Sequence, residues 1–252
     1  MNKAMLKKEL CESLYESKGL WMMAAVSVIL SALLIVVANI KEGAAMSQSD
    51  ILQYAIKAVM FLTIMAAMIL GGSSFVSERE GHTMESLLLT PVSKLSLTMS
   101  KYVSVVILGG ALYLVSVPYI LAICAGSGMG FAALMILLLN GGLLLIAFGA
   151  MSIALSIITD SSKTAILASG LILMVLTLPA FVQGLLKLSA VGRVFLILDP
   201  MANCFNLMPP LLTDGLGLGS VLKFIWPQLI FCVLALALMV WASKRVSLKG
   251  EK

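Results

Sequence analysis

The residues best suited to chemistry or recognition are concentrated in one charged segment, 77–94, with the sequence SEREGHTMESLLLTPVSK. His82, in this segment, is the only histidine of the chain, which excludes a zinc site built on two histidines. The sequence contains no G-x-S-x-G nucleophile turn and no G-x-x-x-x-G-K-[ST] phosphate loop. Its four cysteines have no paired spacing. The segment is therefore a candidate for binding rather than catalysis.

Within this segment the sequence predicts a short helix that begins at Thr83 and ends before Pro91. The Thr83 side chain can cap the first amides, and Glu85 follows in the first turn, where the helix macrodipole favours a carboxylate. Pro91 cannot continue the helix, and it disfavours the α region for Thr90. Ser93 can cap the next helix, which leads into a membrane span.

The predicted helix has one apolar face, formed by Met84, Leu87 and Leu88 at i, i+3 and i+4 spacing. A helix of about seven residues does not hold its shape in water without support. This face must therefore pack against something. The sequence leaves two possibilities for this surface: the chain's own helix bundle at the membrane interface, or a separate protein.

The amino-acid composition indicates the class of protein to which this segment belongs. Of the 252 residues, 61% are apolar and only 12% are charged, and the mean hydropathy is +1.09. Soluble proteins average about 25% charged residues, so a soluble fold is excluded. The stretches without charge are long enough for six membrane helices of about 20 residues each. We predict an all-α polytopic membrane protein with spans at about 20–40, 58–77, 102–124, 131–158, 164–186 and 224–243.

The positions of the basic residues predict the orientation. Twelve of the 17 Lys and Arg residues lie on the side that holds both termini and segment 77–94. The positive-inside rule therefore predicts a multi-pass protein of the cytoplasmic membrane, with both termini in the cytoplasm. An even number of spans requires both termini to lie on the same side of the membrane, which agrees with this orientation.

Two segments outside the spans have their own predictions. Residues 1–18 are predicted to form an amphipathic interfacial helix ahead of the transmembrane domain, 19–252. This helix either only anchors span 1 or also meets a cytoplasmic partner through its acidic face, formed by Glu9, Glu12 and Glu16. The outer segment 188–222 is apolar, and its three prolines should divide it into short pieces that fold back into the membrane as a re-entrant segment: Pro200, Pro209 and Pro210.

Segment 78–94 resembles the signature of type-2 ABC transporter permeases, a pattern close to E-R-E-x-G-T-[LM]-E-x-L-L-x-T-P-[VI]-S-[RK]. The matching residues are Glu78, Arg79, Glu80, Thr83, Met84, Glu85, Leu87, Leu88, Thr90, Pro91, Val92, Ser93 and Lys94. The sequence departs from the pattern at His82, where the family usually has glycine. The resemblance implies that the segment contains a coupling helix that docks on a separate ABC ATPase subunit. It also implies complexes of two permeases and two ATPases, with ATP and Mg²⁺ on the partner and no cofactor on this chain.

The resemblance further implies a translocation path between two permease copies, lined by spans 2 and 5. The candidate residues are Met60, Met65, Met68, Met174, Leu178 and Phe181. Alternatively, these side chains fill gaps between helices or face lipid, since methionine adapts to irregular apolar surroundings. Interhelical hydrogen bonds are enough to explain the two notable amides of spans 4 and 5, Asn140 and Gln183.

Taken with the resemblance, the sequence predicts the permease subunit of an ATP-driven exporter that works by alternating access. A sodium or drug efflux permease is the narrower alternative within this class. No span centre carries an ionisable residue, which disfavours an ion-coupled carrier. The alternatives from other classes are a non-transporting scaffold or sensor and an intramembrane enzyme. The expected partners are the ATPase, a second permease and the lipid bilayer, with no nucleic acid.

Overall fold

The computed structural model of the chain describes residues 3–11, 19–41, 47–81, 93–213 and 218–245. Within these ranges the regular structure is helical and no strand is present. The helices are α1 (Lys3–Cys11), α2 (Gly19–Lys41), α3 (Gln48–Ser73), α4 (Val76–Glu80), α5 (Lys94–Ile123), α6 (Gly130–Ile136), a π-helical turn (Leu137–Gly141), α7 (Gly142–Ile158), α8 (Ser162–Phe181), α9 (Gln183–Leu186), α10 (Ala190–Leu198), α11 (Pro200–Thr213) and α12 (Leu218–Ser243).

Six of these helical units are long and apolar enough to cross a membrane. They are α2, α3 with α4, α5, α6 with the π-helical turn and α7, α8, and α12. The prediction of an all-α membrane protein with six spans is confirmed.

Two spans begin eight or more residues before the position that the charge map predicts. Helix α3 starts at Gln48, inside the predicted outer loop, because the Ser47 hydroxyl caps the Asp50 amide and Lys57 is tolerated on the helix. The Lys57 ammonium is half-buried and lies 5.4 Å from the centre of the Tyr54 ring. Helix α5 starts at Lys94 with the predicted cap at Ser93. Helix α12 starts at Leu218, but its membrane-spanning part begins at Phe224, as predicted. A charged residue is therefore not always the boundary of a span: Lys57 and Lys101 both lie within helices.

Span 5 is shorter than predicted. Helix α8 ends at Phe181, because Val182 has φ −100° and ψ 24°, outside the helical region. The predicted span residue Gln183 instead begins the separate helix α9.

Helix α3 lies at the centre of the bundle, where it packs against α5, α7 and α8. At one end, Gln48 Nε2 donates to the carbonyl of Ile123 at 3.0 Å, so the start of α3 meets the end of α5. Helices α7 and α12 run in the same direction: Phe148 meets Phe231 with ring centres 5.2 Å apart, and Asn140 lines the same cavity as Ile225. The end of α12 therefore lies at the same end of the bundle as the end of α7.

Span 4 contains a π-helical turn, Leu137–Gly141, directly before Gly142. The hydroxyl of Tyr113 donates to the carbonyl of Gly141 at 3.0 Å. A Cβ atom at Gly141 would lie 3.0 Å from the same hydroxyl oxygen, so the close approach of α5 to the turn favours glycine there.

The outer segment after α9 contains a corner of 81° between α10 and α11. Pro200 begins α11, and the Asp199 carboxylate accepts from the Met201 amide at 3.1 Å. The buried Asn203 Nδ2 donates to the carbonyls of Leu196, Ile197 and Asp199 at 2.8–3.0 Å, which satisfies the end of α10. The corner prevents a straight span, whereas the re-entrant placement stays a prediction.

The prediction that all three prolines divide the outer segment is wrong for two of them. Pro209 and Pro210 lie inside α11, towards its end. Two missing amide donors there are tolerated because α11 is held mainly by burial, with Cys204, Leu207 and Met208 fully enclosed against the neighbouring helices.

We expect Gly71→Ala to lower the free energy of unfolding by about 1–3 kcal/mol, the range for overpacking a close contact. A Cβ atom at Gly71 would overlap the Ser152 hydroxyl and lie 3.0 Å from Ser152 Cβ, where α3 crosses α7. Gly110→Ala is the matched control, because nothing lies within 4 Å of a Cβ there. Thermal unfolding of both variants in detergent measures the difference, and equal stability would contradict the close α3–α7 contact.

Candidate functional site

The candidate site is the end of the bundle where α4 meets α1, α5, α7 and α8, which we call the charged end. Helix α4 follows α3 after a break at Ser74 and Phe75. The Ser156 hydroxyl, on α7, accepts from the amides of Phe75 at 2.9 Å and Val76 at 3.3 Å. These bonds satisfy amides left open at the break, and they fix the direction in which α4 leaves α3.

Glu78, the first charged residue of the motif, belongs to a buried triad of charges. Lys101 Nζ lies 2.6 Å from Glu78 Oε1 and 3.1 Å from Glu9 Oε2, and its side chain is 4% exposed. The triad joins α1, α4 and α5, beside a cavity of about 100 Å³ lined in part by Ser73 and Ser77. A buried ammonium requires such partners, because an unpaired charge out of water is costly.

Arg79, the second charge, caps the end of α7. Its guanidinium donates to the carbonyls of Ser156, Ile157 and Thr159 at 2.8–3.2 Å. The last carbonyls of a helix have no partner within the helix and carry the negative end of its dipole, so a cation there is stabilising. Asp160 adds a longer ion pair at 3.9 Å.

Glu80, the third charge, binds the start of α8. Its carboxylate accepts from the Ser162 amide at 2.9 Å and from the Ser162 hydroxyl at 2.6 Å. A carboxylate at a helix N-terminus satisfies an open amide and meets the positive end of the dipole. Three consecutive residues of α4 therefore contact three different places in the bundle.

The remaining predicted coupling residues lie outside the described part of the chain. They are Thr83, Met84, Glu85, Leu87, Leu88, Thr90 and Pro91, and the same holds for His82. The segment that contains them starts directly after α4 and returns to Ser93, the cap of α5.

The candidate path residues do not share one surface of this chain. Met60 and Met68 are buried in the core, and Met60 Sδ lies 3.7 Å from Cys204 Sγ. Four others are on the outside of the bundle, which makes them available to lipid or to another chain: Met65, Met174, Leu178 and Phe181. The role of all six in translocation stays a prediction.

The sequence analysis missed Lys101 and Glu9 as members of the site. Lys101 lies one residue before the predicted start of span 3, but it belongs to α5 and is buried. Glu9 is part of the acidic face for which the sequence analysis considers a cytoplasmic partner as one of two alternatives, and it pairs with Lys101 of its own chain. Glu12 and Glu16 lie outside the described residues. The sequence gives no signal that Lys101 is buried, because its partners Glu9 and Glu78 are distant from it along the chain.

The described residues contain no group of three or more His, Cys, Asp or Glu side chains that could hold a metal ion. The site consists of the contacts that α4 makes with the other helices at the charged end. A comparison with protein families provides the deciding observation. A family model described as ABC-2 family transporter protein matches residues 6–243, nearly the whole chain. The chain belongs to the ABC-2 family.

Membership of the ABC-2 family confirms the resemblance found in segment 78–94 and makes the chain a permease subunit of an ABC transporter. ABC-2 permeases are membrane subunits that generally have no catalytic role, and membership implies association with an ABC ATPase. A comparison with curated proteins found no match.

Proposed function

We propose that this ABC-2 permease exports its substrate across the cytoplasmic membrane by alternating access, driven by a separate ATPase. Both termini and the charged end face the cytoplasm, where the ATPase binds. Two permeases and two ATPases form the transporter, and the ATPase chains hold ATP and Mg²⁺. The positive-inside charge distribution and the family membership support this arrangement.

One observation carries the proposal. The coupling segment 82–92 begins at α4, whose three charged residues are fixed to the rest of the charged end. Glu78 contacts Lys101 of α5, Arg79 contacts the end of α7, and Glu80 contacts the start of α8. A force applied to segment 82–92 would therefore be delivered directly to spans 2, 3, 4 and 5.

This geometry supports a mechanism in which the permease moves as a set of linked helices. ATP binding would draw the two ATPases together and shift both coupling segments with them. The end of α7 and the start of α8 are both bonded to α4, which follows α3 in the chain. These two helices would therefore move with α3 instead of sliding past it. If ATP binds one state of the ATPase more tightly than the other, it would in this way favour one orientation of the spans.

The apolar face of the coupling segment provides the test. Replacing Met84, Leu87 and Leu88 together with alanine should abolish export and reduce co-purification of the ATPase, or leave the complex intact without stimulated hydrolysis. A few central apolar residues usually carry most of the energy of an interface. Transport and ATPase activity are measured in reconstituted vesicles.

The matched control keeps the apolar volume at the same positions: Met84→Leu, Leu87→Met and Leu88→Met together should retain most of the transport. Glu85→Lys, which reverses a charge near the predicted helix start, should act like the alanine variant. Normal binding, hydrolysis and export by the alanine variant would refute the coupling role. Normal binding without any effect of the ATPase on transport would favour a scaffold.

The proposed topology makes a separate prediction. Single cysteines at Lys8, Thr90 and Lys249, in a chain without the native cysteines, should resist an impermeant thiol reagent in intact cells. Cysteines at Ser47 and Thr213 should react. Labelling of Thr90→Cys from outside the cell would reverse the proposed orientation, and the measurement is the labelled fraction with and without permeabilisation.

A further inference from the structure

An open cavity lies at the opposite end of the bundle from the charged end, away from the coupling segment. It lies where α9, α10, α11 and α12 converge and has a volume of about 370 Å³. Its lining includes two cations, two aromatic rings, an aliphatic side chain and an amide: Lys187, Arg193, Phe224, Trp226, Ile197 and Asn206. Because α8 starts at the charged end, α9 and this cavity lie near the other membrane surface.

The charges of this cavity are of one sign. Lys187 and Arg193 are exposed and form no ion pair with any residue in the described ranges. Among the described residues no Asp or Glu lines the cavity. The carboxylate at the nearby corner, that of Asp199, is buried and accepts a hydrogen bond from the Met201 amide. Within the part of the chain that the structure describes, the cavity therefore has positive charge at its rim without a compensating carboxylate.

Apart from the amides of Asn203 and Asn206, the rest of the lining is apolar and suits a hydrocarbon chain. Ile197 and Trp226 are partly open to the outside of the bundle, and Phe224 is half-buried. Tryptophan is typical of the level where a span leaves the hydrocarbon region. A ligand for this cavity needs an anionic head next to the cations and an apolar body against the rings.

We propose that the cavity binds an anionic phospholipid of the surrounding bilayer, with its phosphate at Lys187 and Arg193 and its first methylenes against Phe224 and Trp226. We assign the ligand to the bilayer because the cavity opens beside the start of a membrane span, where lipid is always present. Basic pockets between membrane helices on the cytoplasmic side hold anionic headgroups, and the same attraction between cations and a phosphate applies at this end of the bundle. The lipid would tie the α9–α10 segment to α12. This inference does not depend on the direction of transport.

Trp226 provides a local probe of binding. The full chain with Trp21→Phe and Trp241→Phe retains Trp226 as its only tryptophan. It is reconstituted in vesicles of phosphatidylcholine that contain either brominated phosphatidylglycerol or brominated phosphatidylcholine at the same fraction. Quenching of Trp226 should indicate a preference for phosphatidylglycerol of about thirtyfold, since each of the two cations near the headgroup should contribute a factor of about five.

Replacing Lys187 and Arg193 together with glutamine should remove this preference, while quenching by brominated phosphatidylcholine remains and shows that the protein is still inserted. The matched control, Lys163→Gln with Lys244→Gln, removes two exposed cations at the charged end and should keep the preference. Equal quenching by the two lipids, or a preference that survives the Lys187/Arg193 change, would overturn the proposal. Loss of the preference on addition of millimolar inorganic phosphate would also overturn it, because the site would then bind a soluble anion.

Discussion

Replacing Lys101 with alanine should lower the free energy of unfolding by about 3–5 kcal/mol, the cost of removing one partner from a buried ion pair. Glu9 and Glu78 would then face each other as buried carboxylates without the ammonium that lies 3.1 and 2.6 Å from them. The variant should accumulate poorly in the membrane and unfold at a lower temperature in detergent.

Lys94→Ala is the matched control for Lys101→Ala. It removes the same charge from the same helix, and so has the same effect on the positive-inside balance, but Lys94 is exposed. Its stability should be close to that of the native chain. Equal stability of the two variants would contradict the buried triad.

A combined variant separates lost pairing from lost packing. Lys101→Met with Glu9→Met and Glu78→Met removes all three charges and roughly keeps the side-chain volumes. Replacing a buried charge cluster with apolar side chains of similar volume is often neutral or stabilising, so this variant should regain most of the stability. If the triad also joins α1 to the coupling segment, transport should fall even where stability is restored.

Arg79→Ala should lower the free energy of unfolding by about 2–3 kcal/mol and uncouple ATP hydrolysis from transport. The change leaves the carbonyls of Ser156, Ile157 and Thr159 without their charged donor. A hydrogen bond to a charged group contributes about 1.5–3 kcal/mol net, and the expected loss corresponds to about one such bond because water can reach the carbonyls left free at the helix end. The chain should still insert, because Arg79 lies at the end of span 2.

Arg79→Lys tests whether the planar guanidinium is required. Lysine keeps the positive charge beside the α7 end, but its point charge does not reproduce the fork of donors that reaches several carbonyls. We expect an intermediate loss of stability and a large loss of stimulated hydrolysis. Lys163→Ala, which removes an exposed cation close to the same turn, is the control. Full coupling in Arg79→Ala would show that the α4–α7 contact does not transmit motion.

Much of the fold follows from the sequence because membrane insertion depends on a local property. A stretch of about 20 apolar residues is sufficient for a span wherever it occurs, so six spans were predictable. Ser93 was also predictable as a cap, since a cap bonds an amide only three residues away: the Ser96 amide lies 3.3 Å from its hydroxyl. The charge-based boundary at Lys57 failed because a lysine half-buried against aromatic rings does not end a helix.

By itself the sequence determined the all-α membrane class, the number of spans and the motif of segment 78–94 that indicates the family. Only the tertiary structure decided what the charges of that motif contact: Glu78 meets Lys101, Arg79 the end of α7, and Glu80 the start of α8. It also decided that Met60 and Met68 lie in the core while Met174 is exposed. Apolar length is read along the chain, whereas the partner of a buried charge and the face that a methionine presents are set by helices distant in sequence.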